Sequence, residues 1–155
     1  MIGAFNFSFF DFHDRKTLLK YAKSAYKSLN KKGSFFLELA GGPDFLIPSS
    51  EAKTFPLPGY GKIKKIWEQH AYDPITHVSD YAIHFQLKDG TWLNDAFQYH
   101  WRIWSIREVR DILEEAGFQK TAVIWDATLH DDDFDFAENA EAKPFWVAYV
   151  VGAKI

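Results

Sequence analysis

The residues with the most obvious chemical potential in this 155-residue chain are its six histidines, set in a sequence with no cysteine. His70, His84 and His100 have the same parity on successive segments of two-residue periodicity, so they can share one face of a sheet. Imidazoles are common metal ligands, but no H-E-x-x-H or similarly tight ligand spacing occurs. A half-exposed sheet face, or the polar rim of a substrate pocket, is the reading these positions support, and no metal site is expected. Asp131-Asp132-Asp133 with Asp135 lacks the glycine and terminal glutamate of a calcium loop, so a solvated acidic loop is expected there. The absence of cysteine excludes disulfides, thiolate metal centres and thiol nucleophiles. No nucleophile–base pair stands out.

Aromatic residues carry the second signal. The chain has fifteen Phe, seven Tyr and six Trp, 18% of its residues. Tyr72, Tyr99, Trp101 and Trp104 can wall a substrate or face a cation through their ring quadrupoles, with core packing as the alternative. Arg102 suits a carboxylate or phosphate anchor, or else a surface salt bridge. Asn6 and Ser8, flanking Phe7, are the only polar side chains in the first apolar run. They either face a ligand or serve the backbone of a buried strand.

Net charge is −3 and 47% of residues are hydrophobic, values of an ordinary globular domain. A broad basic surface for nucleic acid is excluded. Apolar runs are far shorter than the ~20 residues of a membrane helix, and the start has no basic, signal-like region. Ile2 stands where myristoylation needs glycine. A soluble, cytoplasmic, single domain over residues 1–155 is the expectation, with no nucleic acid and no membrane as partner.

The elements that would position these residues follow from periodicity. Ile2 to Phe10 reads as a buried strand. Asp14 suits the N-cap of a helix to about Asn30, with Leu18, Leu19, Ala22, Ala25, Tyr26 and Leu29 as its apolar stripe and Gly33 as its left-handed end. Lys16, Lys20, Lys23 and Lys27 form its solvated face. Ser34 to Ala40 reads as a second buried strand, parallel to the first across a right-handed crossover. Residues 43–61, rich in Pro and Gly, read as a loop. A three-strand antiparallel insert follows over 62–104: Ile63 to Tyr72, Val78 to Leu87 and Trp92 to Trp104. Its second hairpin should use a three-residue loop, Lys88-Asp89-Gly90, because that register sets Tyr81, Phe85 and Leu87 with Leu93, Phe97, Tyr99 and Trp101 on one face. Phe85 is then expected opposite Leu93, and Tyr81 opposite Phe97. Ser105 and Glu108 form a capping box, with Trp104 and Val109 as its hydrophobic staple, for a helix ending at Gly117. Thr121 to Trp125 and Phe145 to Gly152 read as strands joined by an acidic loop, and so free to pair antiparallel.

Read together, these segments resemble the C-terminal half of a class I S-adenosylmethionine-dependent methyltransferase. Ala4 to Phe10 resembles that family's fourth strand and exit turn. Leu29-Asn30-Lys31-Lys32-Gly33 resembles its "L-x-P-G-G" helix end, without the Pro and with Ser34 in place of the second Gly. Trp67-Glu68-Gln69, Asp73-Pro74-Ile75, Lys88-Asp89-Gly90 and Tyr99 to Ser105 resemble a subgroup whose antiparallel insert covers the active-site side. Leu113-Glu114-Glu115-Ala116-Gly117-Phe118 and Trp146 to Val150 resemble the closing helix and final strand. The implied fold is α/β, a partial Rossmann-like sheet of strands four to seven. The implied cofactor is S-adenosylmethionine, with Asn6, Phe7 and Ser8 beside its methionine portion. The implied activity is methyl transfer to a small-molecule acceptor.

The family's glycine-rich cofactor turn and its ribose-binding carboxylate have no counterpart in these residues. Gly59-Tyr60-Gly61 is a G-x-G without the strand and helix such a turn requires. The expectation is a truncated enzyme, inactive without an N-terminal half and binding the cofactor weakly alone. The alternatives are a non-catalytic binding or dimerisation module, and an unrelated aromatic-lined ligand-binding protein. An unpaired edge on the Ile2 to Phe9 segment would favour self-association into an oligomer.

Overall fold

The computed structural model describes residues 1–125 and 136–155, so the expected calcium-free acidic run at Asp131–Asp135 lies outside the described residues. The chain divides into two compact units, one of residues 1–45 with 102–155 and one of residues 46–101.

The first unit is built on a four-stranded sheet in the order β1-β2-β8-β7. β1 (Ile2–Ala4) runs parallel to β2 (Ser34–Gly41), as the crossover through α1 (Arg15–Ser28) requires. β8 (Trp146–Ala153) pairs antiparallel with both β2 and β7 (Lys120–Ile124), so the last two strands do pair antiparallel. Alternation along β2 buries Phe35, Leu37 and Leu39, opposite Gly152, Val150 and Ala148 of β8. Leu18 and Ala22 of α1, and Val109, Ile112 and Leu113 of α2 (Ile106–Ala116), complete this core. Each large side chain so buried contributes about 1.5–3 kcal/mol.

Both helix starts follow the sequence. The Asp14 side chain accepts the Thr17 amide at 2.8 Å. Ser105 and Glu108 form the reciprocal capping box, and Trp104 and Val109 are both buried beside it. Gly117 closes α2 at φ 110°.

Two expectations are corrected in this unit. The first strand stops at Ala4 rather than Phe10, because Asn6 and Phe7 turn left-handed (φ 53° and 55°) and Ser8–Asp11 wind into a 3-10 helix. Buried Phe9 and Phe10 belong to that helix. A continuous apolar run does not distinguish strand from buried turn. After α1 the left-handed residue is Lys32 (φ 62°), and Gly33 is not left-handed.

The second unit is a four-stranded antiparallel sheet, β3-β4-β5-β6. Its strands are β3 (Ser49–Leu57), β4 (Gly61–Asp73), β5 (Val78–Gln86) and β6 (Trp92–Arg102). The last residue of β6 falls in the first unit. β3 falls in the segment 43–61 that the sequence leads one to expect as loop. Pro56 obscured it, yet proline is tolerated on an edge strand, and β3 is one.

The second hairpin has the expected loop: Leu87 N–H donates to Thr91 O at 2.8 Å and Gly90 is left-handed at φ 88°. Beyond it, Asp95 turns left-handed (φ 51°) and gives its N–H to His84 Nδ1 at 2.9 Å. The ring of Phe85 lies 6.5 Å from that of Phe97, and the ring of Tyr81 5.2 Å from that of Trp101, so these aromatic side chains share one face of the sheet.

Candidate functional site

Asn6, Phe7 and Ser8 sit together just past the carboxyl end of β1, where open parallel sheets characteristically bind ligands. Two successive non-glycine residues in the left-handed region carry real strain, of order 1–2 kcal/mol each. Local bonds hold the turn: Ser8 N–H to Phe5 O at 3.2 Å and Phe10 N–H to Phe7 O at 2.8 Å. The tertiary anchor is Glu38 on β2, whose carboxylate accepts the Asn6 backbone N–H. The Tyr149 hydroxyl of β8 donates to the same carboxylate at 3.3 Å. Burial, and then the Glu38 charge, raise the Tyr149 hydroxyl above its usual range, which keeps it a donor. Glu38 left no signal in the sequence beyond a charged residue within an apolar strand.

Aromatic and backbone groups surround this turn. Phe7 packs on Phe10 and Phe45 with centroids 5.8 and 6.2 Å away, and Phe45 on Phe145 at 5.9 Å. Gly42, directly after β2, is left-handed at φ 99°, and a Cβ there would lie 2.4 Å from Pro144 O. Only glycine lets the 144 backbone approach so closely. Beside the turn, Met1, Phe5, Phe36, Ile124 and Tyr149 line an open apolar pocket of about 210 Å³.

Tyr99 and Trp101 lie in the second unit, their rings 4.5 Å apart. Trp67 and Tyr81 join them at 5.2–6.2 Å. Trp67 of β4 stands in the sequence reading as part of a resembling motif and not as a site residue. Burial pushes the Tyr81 hydroxyl up to about 12. The Tyr72 hydroxyl lies 2.9 Å from His77 Nδ1.

Arg102 and Trp104 belong to the first unit and to each other: the guanidinium lies 3.5 Å above the indole centroid. Arg102 also binds His13 O at 3.2 Å and the capping-box Glu108 at 3.0 Å. Trp104 is fully buried and donates to Phe12 O at 3.0 Å. These contacts fix the start of α2. His84 lies against Glu68 at 2.8 Å and His100 against Asp80 at 2.5 Å. Among the described residues no three His, Asp or Glu side chains group as metal ligands.

The whole chain superposes on known methyltransferases. It matches an amino pentose methyltransferase of Micromonospora echinaspora, solved with S-adenosylmethionine bound, over 99% of this chain and 57% of that one (TM-score 0.68, 8% identity). A sugar N-methyltransferase from a Streptoalloteichus species matches over 98% and 54% (TM-score 0.64, 11% identity). A methyltransferase of Streptomyces caelestis matches over 99% and 55% (TM-score 0.60, 13% identity). The fold is that of S-adenosylmethionine-dependent methyltransferases. The chain spans little more than half the length of each of these proteins. No protein-family model matches the sequence, and comparison with curated proteins finds no match. Among the described residues no helix is long and apolar enough to cross a membrane.

Proposed function

We propose that the chain is a part of an S-adenosylmethionine-dependent methyltransferase acting on a small molecule, with Asn6, Phe7 and Ser8 facing the methionine end of the cofactor. The observation that carries this reading is the strained left-handed pair Asn6–Phe7, anchored by Glu38 at the carboxyl end of a parallel strand. Strain of this kind concentrates at functional turns. The residues present suit the methionine end of the cofactor; the ribose carboxylate and glycine-rich turn of such enzymes have no counterpart in this sequence.

When bound, the cofactor supplies an electrophilic methyl group on its sulfonium. The chain's own contribution is positional: holding the acceptor atom in line with that methyl and excluding water. Of the ring cluster in the second unit, Tyr81 and Trp101 are buried, so Trp67 and Tyr99, both half-buried, are the rings we assign to an acceptor. The neighbours that methylate an amino pentose and a sugar nitrogen make an aminosugar the favoured acceptor class. Both terminal guanidinium nitrogens of Arg102 and the indole N–H of Trp104 are engaged beside the helix start, the Arg102 Nε being buried without a partner among the described residues, so these two residues enter this reading as supports. We further propose that the remainder of the fold, supplied by an N-terminal half, completes the cofactor site.

The test is titration of S-adenosylmethionine into the ¹⁵N-labelled chain. Weak, non-saturating binding that shifts the amides of Asn6 to Ser8 and Glu38 is the expected result. Tight micromolar binding would refute the half-site, and no shift at those amides at millimolar cofactor would refute their assignment.

A further inference from the structure

At one end of the second unit the turn from β3 to β4 folds beside Lys88, a residue of the loop between β5 and β6. The two segments border an open pocket of about 660 Å³. Small-molecule sites span roughly 300–1,000 Å³. Pro56, Leu57 and Pro58 make its apolar wall, and Lys62 and Lys88 its charged one. The G-x-G of Gly59-Tyr60-Gly61, which has no place in the cofactor reading, supplies both glycines to the rim. Gly61 is left-handed at φ 84°, and a Cβ there would lie 2.8 Å from Lys88 Cδ. Glycine at this position lets the Lys88 stem lie along the turn, which brings the side chain into the pocket wall.

No acidic side chain lines the pocket, and neither lysine is ion-paired among the described residues. Asp89, next to Lys88, spends its carboxylate on the Thr91 N–H at 2.9 Å. Alternation puts Lys64 on the same face of β4 as Lys62, and its cross-strand partners are Thr54 and Gln86 rather than an acid. Like charges gathered without a counter-charge cost the free protein stability, and a bound anion offsets that cost. We propose that this pocket binds a phosphate monoester, its phosphate between Lys62 and Lys88 and its organic part on the wall of Pro56, Leu57 and Pro58. Ammonium groups act as point charges on a tetrahedral phosphate, whereas a planar carboxylate is matched best by a guanidinium fork, which the pocket lacks. A monoester carries about −1.5 to −2 charges at pH 7, enough to balance two lysines. The apolar wall favours an ester over inorganic phosphate, since only the ester has apolar area to bury. Lys62 faces away from Trp67 by the same alternation, so the pocket is separate from the acceptor rings. This inference does not depend on methyl transfer.

Phenyl phosphate titrated into the ¹⁵N-labelled chain should shift the amides of Gly59, Lys62 and Lys88 saturably, with a dissociation constant of about 1 mM or tighter. It should bind more tightly than inorganic phosphate, which lacks the apolar body, and than benzoate, which has a single charge. Lys62→Gln and Lys88→Gln, both at exposed sites, should each weaken binding about fivefold with an unchanged circular dichroism spectrum. Lys23→Gln, on the exposed lysine face of α1, should leave the affinity as it is. No saturable shift at those amides by about 10 mM phenyl phosphate would overturn the proposal. Parity with inorganic phosphate or benzoate would overturn it too, as would equal weakening by Lys23→Gln. Tighter binding of a single-stranded oligonucleotide at the same amides would replace the pocket with a polyanion surface, and so overturn it as well.

Discussion

The backbone N–H of Asn6 donates to the carboxylate of Glu38, a residue 32 positions further along the chain. This bond joins the end of β1 to the strand beside it at the point where Asn6 and Phe7 turn left-handed. Asparagine tolerates that conformation, but phenylalanine resists it, so an external anchor must offset the strain.

Removing the anchor has a defined consequence. Glu38→Ala should lower stability by about 1–2 kcal/mol, the range of a hydrogen bond to a charged group at a half-buried site. Glu38→Gln keeps an acceptor oxygen and should lose less than half of that. Urea denaturation measures both. Backbone coupling constants at Asn6 and Phe7 report whether the turn itself relaxes in the alanine variant. Unchanged couplings there would show that the local bonds from Ser8 and Phe10 suffice.

Gly42 and Gly90 are both left-handed, at φ 99° and 88°, but their surroundings differ. A Cβ at Gly90 meets nothing within 4 Å, whereas one at Gly42 meets backbone atoms of Lys143 and Pro144. Gly90→Ala should therefore cost only the conformational strain, about 1 kcal/mol. Gly42→Ala must also push the 143–144 backbone aside, raising the loss to about 3 kcal/mol. Equal denaturation midpoints for the two variants would contradict the close approach.

Where the sequence was readable, a local rule and a tertiary demand agreed. Asp14, Ser105, Glu108 and Gly117 cap their helices as their types require, and Leu37, Leu39, Val150 and Ala148 alternate into one core. The Lys88-Asp89-Gly90 loop was legible for the same reason, since turn chemistry and apolar register pointed to one length. Asn6–Phe7 was not legible as a turn, because the residue that sustains it is Glu38, remote in sequence. β3 was hidden by Pro56, whose missing donor is tolerated on an edge strand where the N–H would face away from the neighbouring strand. The left-handed turn at Asp95 is tied to the ring nitrogen of His84, eleven residues away, and no pattern of apolar residues encodes it. The candidate site was thus readable as a set of aromatic and polar positions, but its anchoring was not.

Ser105→Ala removes an acceptor for the Glu108 amide and half of a reciprocal cap. The expected loss is about 1 kcal/mol. Glu108 has a second duty, binding Arg102 at 3.0 Å, so Glu108→Ala should cost more than Ser105→Ala. It removes the guanidinium's carboxylate partner as well as uncapping the helix. Thermal unfolding of the two single variants and the double variant checks this: the double should cost less than the sum, because both share one cap.

Tyr81 makes the alkaline limit of the fold specific. Its hydroxyl is pushed up to about 12 by burial, against 10.0 for the free side chain. The folded state therefore holds this proton more tightly than the unfolded state does. Its contribution to stability is complete below pH 10, where both states are protonated, and is lost as pH rises from 10 through about 12. Denaturant unfolding of the parent chain should steepen in its pH dependence across that window. Tyr81→Phe removes the titrating group while keeping the ring against Trp67 and Trp101, so its stability should fall less between pH 10 and 12 than the parent's. Tyr149→Phe should show a smaller version of the same effect, because its hydroxyl is raised by burial and by Glu38 but stays half-buried. A Tyr81→Phe chain whose pH profile superposes on the parent's would show that the hydroxyl reaches water in the folded state, and that the ring cluster is open where it is drawn as closed.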